Sequence, residues 1–337
     1  MTVRIAINGF GRIGRMAFRQ LFLLEEFEVA AINDIAPPDL SAYLLKFDTT
    51  QGPFEQADYV DSGDNYISVD DIKIPFFQES DASQLPWGEL NIDIVLECSG
   101  AYLSKEKSQA HLTAGAKSVV ISAPAGTDIP TIVYGVNENI LSNKDTIISG
   151  ASCSTNALAP MVKILNDYAP IKSGMMLVVH GYTATQMLQD NAQKKGHFRR
   201  SRAAAENIIP TTAEAATAVG RVIPELNGKL HGSAVRVPVP VGCLITFTAV
   251  VMGSNITADA INKTMKSSAS QIFGYTEEEY VSSDIVGNTF AAIFDSTQTL
   301  VSKINDDDYQ VRVAAWFDNE NSFVSQLIRL LKYYSDL

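Results

Sequence analysis

The sequence is poor in cysteine, tryptophan and histidine, with three, two and four of them in 337 residues, and it carries no excess of positive charge. The cysteines at positions 98, 153 and 243 are an odd number without disulfide-like spacing, and neither a CxxC pair nor a Cys/His ligand pattern is present. These gaps argue against a disulfide scaffold and a structural metal site, so the expected metal content is none. A formal charge of −12 argues against nucleic acid or an anionic membrane as the primary partner. No apolar run reaches the roughly 20 residues that span a bilayer. The opening MTVRIAINGF has neither a basic region nor a signal-peptide core. The expectation is a cytoplasmic protein with no membrane partner.

A hydrophobic content of 46% in a chain of this length supports two cores and hence two domains. Residues 3–8 read as a short buried strand that runs into Gly9-Phe10-Gly11-Arg12-Ile13-Gly14 and then an amphipathic helix carrying Met16, Phe18, Leu21 and Phe22. The GxGxxG pattern is weak alone. With a strand before it, a helix after it and an acid about 20 residues beyond, it becomes a dinucleotide fingerprint. The acid is Asp34, at the end of a second strand over residues 28–33. The glycines tighten the turn and let a pyrophosphate approach the backbone, and the helix N-terminus supplies N–H donors. Asp34 accepts from the adenosine ribose hydroxyls and repels a 2′-phosphate, so the expected cofactor is NAD rather than NADP.

Residues 59–77 alternate and are rich in turn residues, which predicts an antiparallel hairpin excursion. Strands at 93–96 and 118–122 flank a helix at 104–114 and restore a parallel β-α-β rhythm. Their ends, Ser99-Gly100 and Ser122, lie at the carboxyl edge, where ligands bind in open α/β sheets. A strand at 146–149 then leads into GASCSTNALAP. Cys153 is the candidate nucleophile. Leu158, Met161, Val162 and Leu165 stand at helical spacing, which puts the thiol at or just before a helix N-terminus, where free N–H groups and the dipole favour a thiolate. Pro160 requires this helix to begin late or to bend in its second turn. The strand order delivers the thiol to the same edge as the dinucleotide loop.

Beyond this point alternating segments at 175–180, 233–238, 244–252, 290–295 and 310–317 predict an antiparallel or mixed sheet with helices on one face, one of them over 257–272. A final helix over 322–334 is expected to pack back on the first domain. The fold class is α/β: a Rossmann-type doubly wound dinucleotide-binding domain plus an α+β domain with a mostly antiparallel sheet. His180 ends a strand, but spacing alone does not pair it with Cys153, because His197 and His231 are also available. His111 reads as structural. Residues 193–202, QKKGHFRRSR, form the one concentrated basic stretch, suited to a solvated loop or to phosphate binding. Arg236, inside the apolar AVRVPVP, calls for an anionic partner.

INGFGRIGR, ASCSTN, HGYTATQ, RRSRAAAENIIP, IPELNGKL, RVPVP and WFDNE occur in the order and spacing of one family, and the chain resembles glyceraldehyde-3-phosphate dehydrogenases over its whole length. The resemblance implies a dinucleotide-binding domain over 1–152, a catalytic domain over 153–318, a returning helix over 319–337, and a homotetramer. It implies that Cys153 attacks the aldehyde of glyceraldehyde 3-phosphate with His180 as base, that hydride passes to NAD, and that inorganic phosphate releases the thioester as 1,3-bisphosphoglycerate. By the same likeness Asn319 holds the nicotinamide carboxamide, and Thr183, Thr185, Arg200 and Arg236 hold the substrate phosphate, with Ser152 and Ser154 beside the thiol. One departure bears on chemistry: Ala213-Glu214 stands where the family usually has Thr-Gly, close to the attacking phosphate. The rival readings are a dehydrogenase of the erythrose 4-phosphate type that releases the acid by hydrolysis, and a weakly catalytic member used as a binding protein.

Overall fold

The computed structural model describes residues 2–194 and 196–337. Lys195, within the basic stretch, lies outside the described residues. The chain divides into two compact units. One comprises the chain up to Tyr134 with Glu138–Ser152 and Leu327–Leu337, and the other Gly135–Asn137 with Cys153–Gln326.

The first unit opens with β1 (Val3–Asn8), α1 (Arg12–Leu21), β2 (Phe27–Asn33) and α2 (Pro38–Lys46). An antiparallel trio follows, β3 (Val60–Gly63), β4 (Tyr66–Val69) and β5 (Ile72–Phe77), then β6 (Ile94–Glu97), α3 (Lys105–Thr113), β7 (Ser118–Ile121) and β8 (Ile147–Ser149). They form one eight-stranded sheet in the order β3-β4-β5-β2-β1-β6-β7-β8. The hairpin therefore extends the main sheet, because β5 pairs in parallel with β2 at Ile32↔Phe76 and Asn33↔Phe77. β1, β6 and β7 are almost wholly buried apolar runs, as strands covered on both faces must be. α1 turns Met16, Ala17, Phe18 and Leu21 inward, and Phe18 meets Phe10 edge to face at 5.7 Å. The carboxyl ends of β1, β2 and β6 are tied by polar side chains: Asn33 donates to Asn8 at 2.7 Å, and Asn8 donates to Glu97 at 2.5 Å. Within this unit the chain end is held by the Tyr334 hydroxyl, which donates to the Asp145 carbonyl, and by Lys332 with Glu26.

The second unit holds α4 (Cys153–Tyr168), β9 (Ile171–Gly181), β10 (Ile209–Thr212), α5 (Ala215–Val222), β11 (Leu230–Val237), β12 (Cys243–Met252), α6 (Ala258–Ser267), β13 (Phe273–Thr276), β14 (Ala292–Asp295), β15 (Leu300–Lys303) and β16 (Asp308–Phe317). Its sheet runs β10-β11-β9-β12-β16-β14-β13, with β15 beside β16. β9 and β11 are parallel, as are β13 and β14, and the remaining pairs are antiparallel. Strict alternation in β12, CLITFTAVVM, buries Cys243, Ile245, Phe247, Ala249 and Val251 on one face. The last helix, α7, spans Asn321–Ser335.

Two expected helices change length. α4 starts at Cys153 itself and continues through Pro160, so the late start does not occur. α6 stops at Ser267 rather than at residue 272. The hydroxyls of Ser267 and Ser268 both donate to the Thr264 carbonyl at 2.9 Å, and such back-bonding competes with helix continuation. Among the described residues no helix is long and apolar enough to cross a membrane.

Candidate active site

In the first unit the glycine loop is shaped by three different constraints. Gly9 has φ +94°, and a Cβ there would stand 2.4 Å from the Ser99 nitrogen. Gly14 lies where a Cβ would meet the Gly9 carbonyl oxygen at 2.1 Å. Gly11 faces open space at the N-terminus of α1, so its missing side chain leaves room for a ligand rather than for the fold. Asp34 ties the loop to β2, accepting from the Phe10 N–H at 2.5 Å and the Ala36 N–H at 2.8 Å. The donors at the helix start, the open face at Gly11 and the half-buried carboxylate suit a dinucleotide.

Other residues expected at this cofactor site are engaged by the protein. The Arg12 guanidinium pairs with Asp48 and donates to Thr50 at 2.6 Å. Hydrogen bonds from Arg12 and the N–H groups of Gln51 and Thr50 outweigh burial and bring the Asp48 carboxyl down to about 2. Arg12 thus fastens α1 to the loop after α2, and its peptide unit remains in the helix start. Ile13 follows it in the first turn. Ser99 and Gly100 both donate backbone N–H groups to Glu97, at 2.7 and 3.1 Å, and the Ser122 hydroxyl donates to the Glu97 carbonyl at 2.9 Å. Glu97 was not singled out in the sequence. Its signal there is an acid that closes the otherwise apolar strand IVLE.

In the second unit strand register assembles a different site. Cys153 begins α4, and its Sγ lies 3.6 Å from His180 Nε2 and 3.9 Å from the Ser154 hydroxyl. β9 and β11 pair so that His180 stands beside Arg236. The same register places His231 opposite Met175, five residues away, and His197 is exposed. His180 is thereby the histidine at the thiol. Arg236 Nη1 lies 2.6 Å from His180 Nδ1 and 2.8 Å from the Gly181 carbonyl oxygen. Phe317 presents its ring to the imidazole at 6.0 Å and 83°.

Burial and the neighbouring Arg236 charge hold His180 far below the ordinary histidine value, at about 3. The ring is therefore neutral at neutral pH. For Cys153 burial pushes the thiol up, while Arg236 and hydrogen bonds from Ser154 and the helix-start N–H groups pull it down. Burial outweighs them, although the helix-start N–H groups act in the expected direction, toward the thiolate. The other two thiols are further from reactivity: burial takes Cys98 to about 12 and raises Cys243 well above its ordinary value.

Next to this pair lies a cluster of hydroxyls and guanidiniums. Thr183 and Thr185 hydroxyls are 3.0 Å apart, and Arg200 donates to Thr185 at 3.1 Å and to Thr211 at 3.2 Å. Burial and then the Arg200 charge lower the proton affinity of Arg236, and both guanidiniums act the same way on His180, so an anion between them is favoured. Asn319 is nearly buried and accepts from the Cys243 thiol at 3.3 Å, while Cys243 in turn accepts from the Gly181 N–H at 3.4 Å. Thr211 and Cys243 escaped the sequence reading. The alternation of β12 could have placed Cys243 on the buried face, but only pairing shows what it touches. Ser152 precedes Cys153 and is half-buried. Glu214 is exposed at the start of α5 and makes no capping hydrogen bond with its side chain.

Residues 152–319 match the model of the glyceraldehyde 3-phosphate dehydrogenase C-terminal domain, and residues 3–105 that family's NAD binding domain. The chain is 48% identical over 334 residues to the glyceraldehyde-3-phosphate dehydrogenase of Clostridium pasteurianum, covering 99% of each. It is 46% identical over 338 residues to that of Streptococcus pyogenes, covering 100% of this chain and 99% of the relative. On both its domains and its full length, the chain belongs to the glyceraldehyde-3-phosphate dehydrogenase family.

Proposed function

We propose that the chain is an NAD-dependent oxidoreductase that converts glyceraldehyde 3-phosphate and inorganic phosphate to 1,3-bisphosphoglycerate in glycolysis, through a thioester on Cys153. The observation that carries the reading is the Cys153 Sγ to His180 Nε2 approach of 3.6 Å, with a threonine and arginine cluster alongside. Thr183, Thr185, Arg200 and Arg236 bind the substrate phosphate, since guanidinium forks and hydroxyls match its oxygens. Cys153 sulfur bonds to the aldehyde carbon, and His180 takes the proton released in that step. Bound NAD supplies the hydride acceptor that turns this adduct into a thioester. Ser152, Cys153 and Ser154 present N–H groups and hydroxyls at the helix start, which suit charge developing on the substrate oxygen.

For the cofactor, Gly9, Phe10, Gly11, Arg12, Ile13 and Gly14 form the pyrophosphate cradle, Asp34 takes the ribose hydroxyls, Ser99, Gly100 and Ser122 line the strand ends, and Asn319 holds the carboxamide. The dinucleotide-binding domain is assigned to residues 1–152 with the returning helix in 319–337, and the catalytic domain to 153–318; the compact units agree with the break after Ser152 and with the return of Leu327–Leu337, whereas residues 319–326 group with the second unit. A homotetramer in the cytoplasm is part of the same proposal. Leu40, Tyr43, Leu44 and Phe47 are exposed at one-face helical spacing on and just beyond α2, and Met175 and Leu177 are exposed on β9. Apolar faces of this kind mark self-association.

NADH production with glyceraldehyde 3-phosphate and with erythrose 4-phosphate, each with and without phosphate, tests the reading. Phosphate-dependent turnover of the triose is expected. Phosphate-independent release of the acid supports the hydrolytic rival, and no turnover supports the binding-protein rival. Iodoacetamide is expected to inactivate the protein with Cys153 as the modified residue; inactivation with Cys153 unmodified removes it as nucleophile. Sedimentation as a monomer at micromolar concentration would refute the tetramer.

A further inference from the structure

Asn319 stands in the link between β16 and α7, and different residues hold its backbone and its side chain. Asp318 fixes the backbone: its carboxylate accepts from the N–H groups of Glu320 and Asn321 at 2.7 and 2.8 Å and from that of Gly287 at 2.8 Å. The Asn319 side chain has one hydrogen-bond partner among the described residues, the Cys243 thiol, which donates to Oδ1 at 3.3 Å. Cys243 reaches it because β12 and β16 pair with Cys243 opposite Phe317, two residues earlier. The sulfur also accepts from the Gly181 N–H at 3.4 Å. It is fully buried, and burial raises the thiol well above its ordinary value, so it stays S–H with one hydrogen to give. A sulfur that already faces one N–H is a poor host for a second, and the amide therefore turns its oxygen toward it.

We propose that Cys243 is a positioning residue that locks the Asn319 amide with its oxygen inward, so that only the Nδ2 donor is offered to the nicotinamide and the carboxamide is read by its oxygen rather than by its NH2 group. This rests on the reading of Asn319 as the residue that holds the carboxamide. An asparagine amide carries an acceptor and a donor of nearly the same shape, and a half-turn of its last torsion exchanges them. A carboxamide has the same two ends, so an unlocked asparagine meets it in either sense. With Oδ1 engaged by sulfur, Nδ2 is left over: it donates to no group among the described residues, yet it is not sealed in the interior. At a residue only 6% exposed, such a donor is set for an acceptor that arrives from outside. Fixing the amide beforehand spares the complex the cost of ordering it. The influence of Cys243 is confined to the nicotinamide end of the cofactor, because its contacts are with Asn319 and Gly181 and with no part of the glycine loop.

Calorimetric binding of three ligands tests this. They are NAD, its 3-acetylpyridine analogue, which keeps the carbonyl oxygen but has a methyl group in place of NH2, and ADP-ribose, which has no nicotinamide. The natural protein is expected to bind NAD and the analogue within about threefold of each other, since both carry the oxygen. Cys243→Ala should leave the Kd for ADP-ribose unchanged and weaken NAD by about 3–10-fold, the range of one hydrogen bond. Cys243→Ser keeps a hydroxyl donor and should bind NAD as the natural protein does. Discrimination against the analogue by more than about tenfold in the natural protein overturns the proposal, because the NH2 group would then be the one read. An equal loss of ADP-ribose binding in Cys243→Ala also overturns it, since the fault would be a general one. Asn319→Ala separates the two readings. If it leaves the preference for NAD over ADP-ribose unchanged, the assignment of Asn319 to the carboxamide fails; if it lowers that preference and Cys243→Ala does not, only the role of Cys243 fails. If Cys243→Ala does not fold, the comparison of NAD with the analogue on the natural protein decides alone.

Discussion

The dinucleotide loop and the thiol site are built in opposite ways. The loop is six consecutive residues whose shape follows from missing side chains, and almost every group that defines it is main chain. The thiol site draws Cys153 from a helix start, His180 and Arg236 from neighbouring strands, Arg200 from a single 3-10 turn and Asn319 from the link between β16 and α7. The first is local and sterically stiff. The second depends on register and on the balance of burial against charge, so its chemistry can be altered without changing its shape.

The largest effect should come from the register-built site. His180→Asn keeps a polar side chain of similar reach but removes the proposed base, and the rate of the NADH burst should fall by about 10²–10⁴-fold. Rapid-mixing kinetics measures it, and an unimpaired burst would move the base elsewhere.

At the loop, two glycines separate fold from ligand. Gly14→Ala drives a Cβ to 2.1 Å from the Gly9 carbonyl oxygen, so the backbone must shift, at a cost of about 1–3 kcal/mol. Gly11→Ala meets no neighbouring atom and should leave Tm nearly unchanged while raising the KM for NAD. Thermal melts with KM measurements on both variants test this, and equal melting losses would erase the contrast.

The buried imidazole also makes a pH prediction. Its folded value of about 3 lies below the ordinary 6.5, so between these limits the unfolded chain binds the extra proton. The contribution to stability is complete above pH 6.5 and is lost as pH falls toward 3. His180→Asn should therefore flatten the dependence of unfolding free energy on pH in that window. Urea titrations at several pH values compare the slopes; identical slopes would mean that His180 is protonated in the fold.

Glu214 should matter least. It is exposed, and like charges in water at contact distance cost on the order of 1 kcal/mol before screening. Ala213→Thr with Glu214→Gly should lower the phosphate concentration for half-maximal turnover by less than about fivefold, read by phosphate titration with product analysis. No change would show that the carboxylate is too well solvated to reach the phosphate.

Much of the fold could be read from one-dimensional pattern because its causes are local. Residues 3–34 declare a strand, a glycine turn, a helix and a second strand in unbroken order, and the structure places β1, α1 and β2 there. Glycine geometry, helix-start donors and apolar runs act over a few residues, so sequence suffices for them. Pairing is another matter. Nothing in the spacing of residues 180, 197 and 231 distinguishes three histidines, whereas the parallel register of β9 and β11 seats His180 between Cys153 and Arg236. The protonation of the thiol was likewise beyond pattern, because the helix start that favours a thiolate is visible in sequence and the burial that opposes it is not. What the sequence determined by itself was the succession of elements, the dinucleotide loop and the position of the candidate thiol at a helix start. The tertiary structure alone decided which histidine meets that thiol, how Arg236 and Cys243 are engaged beside it, and which protonation states result, because these depend on register and desolvation summed over segments far apart in the chain.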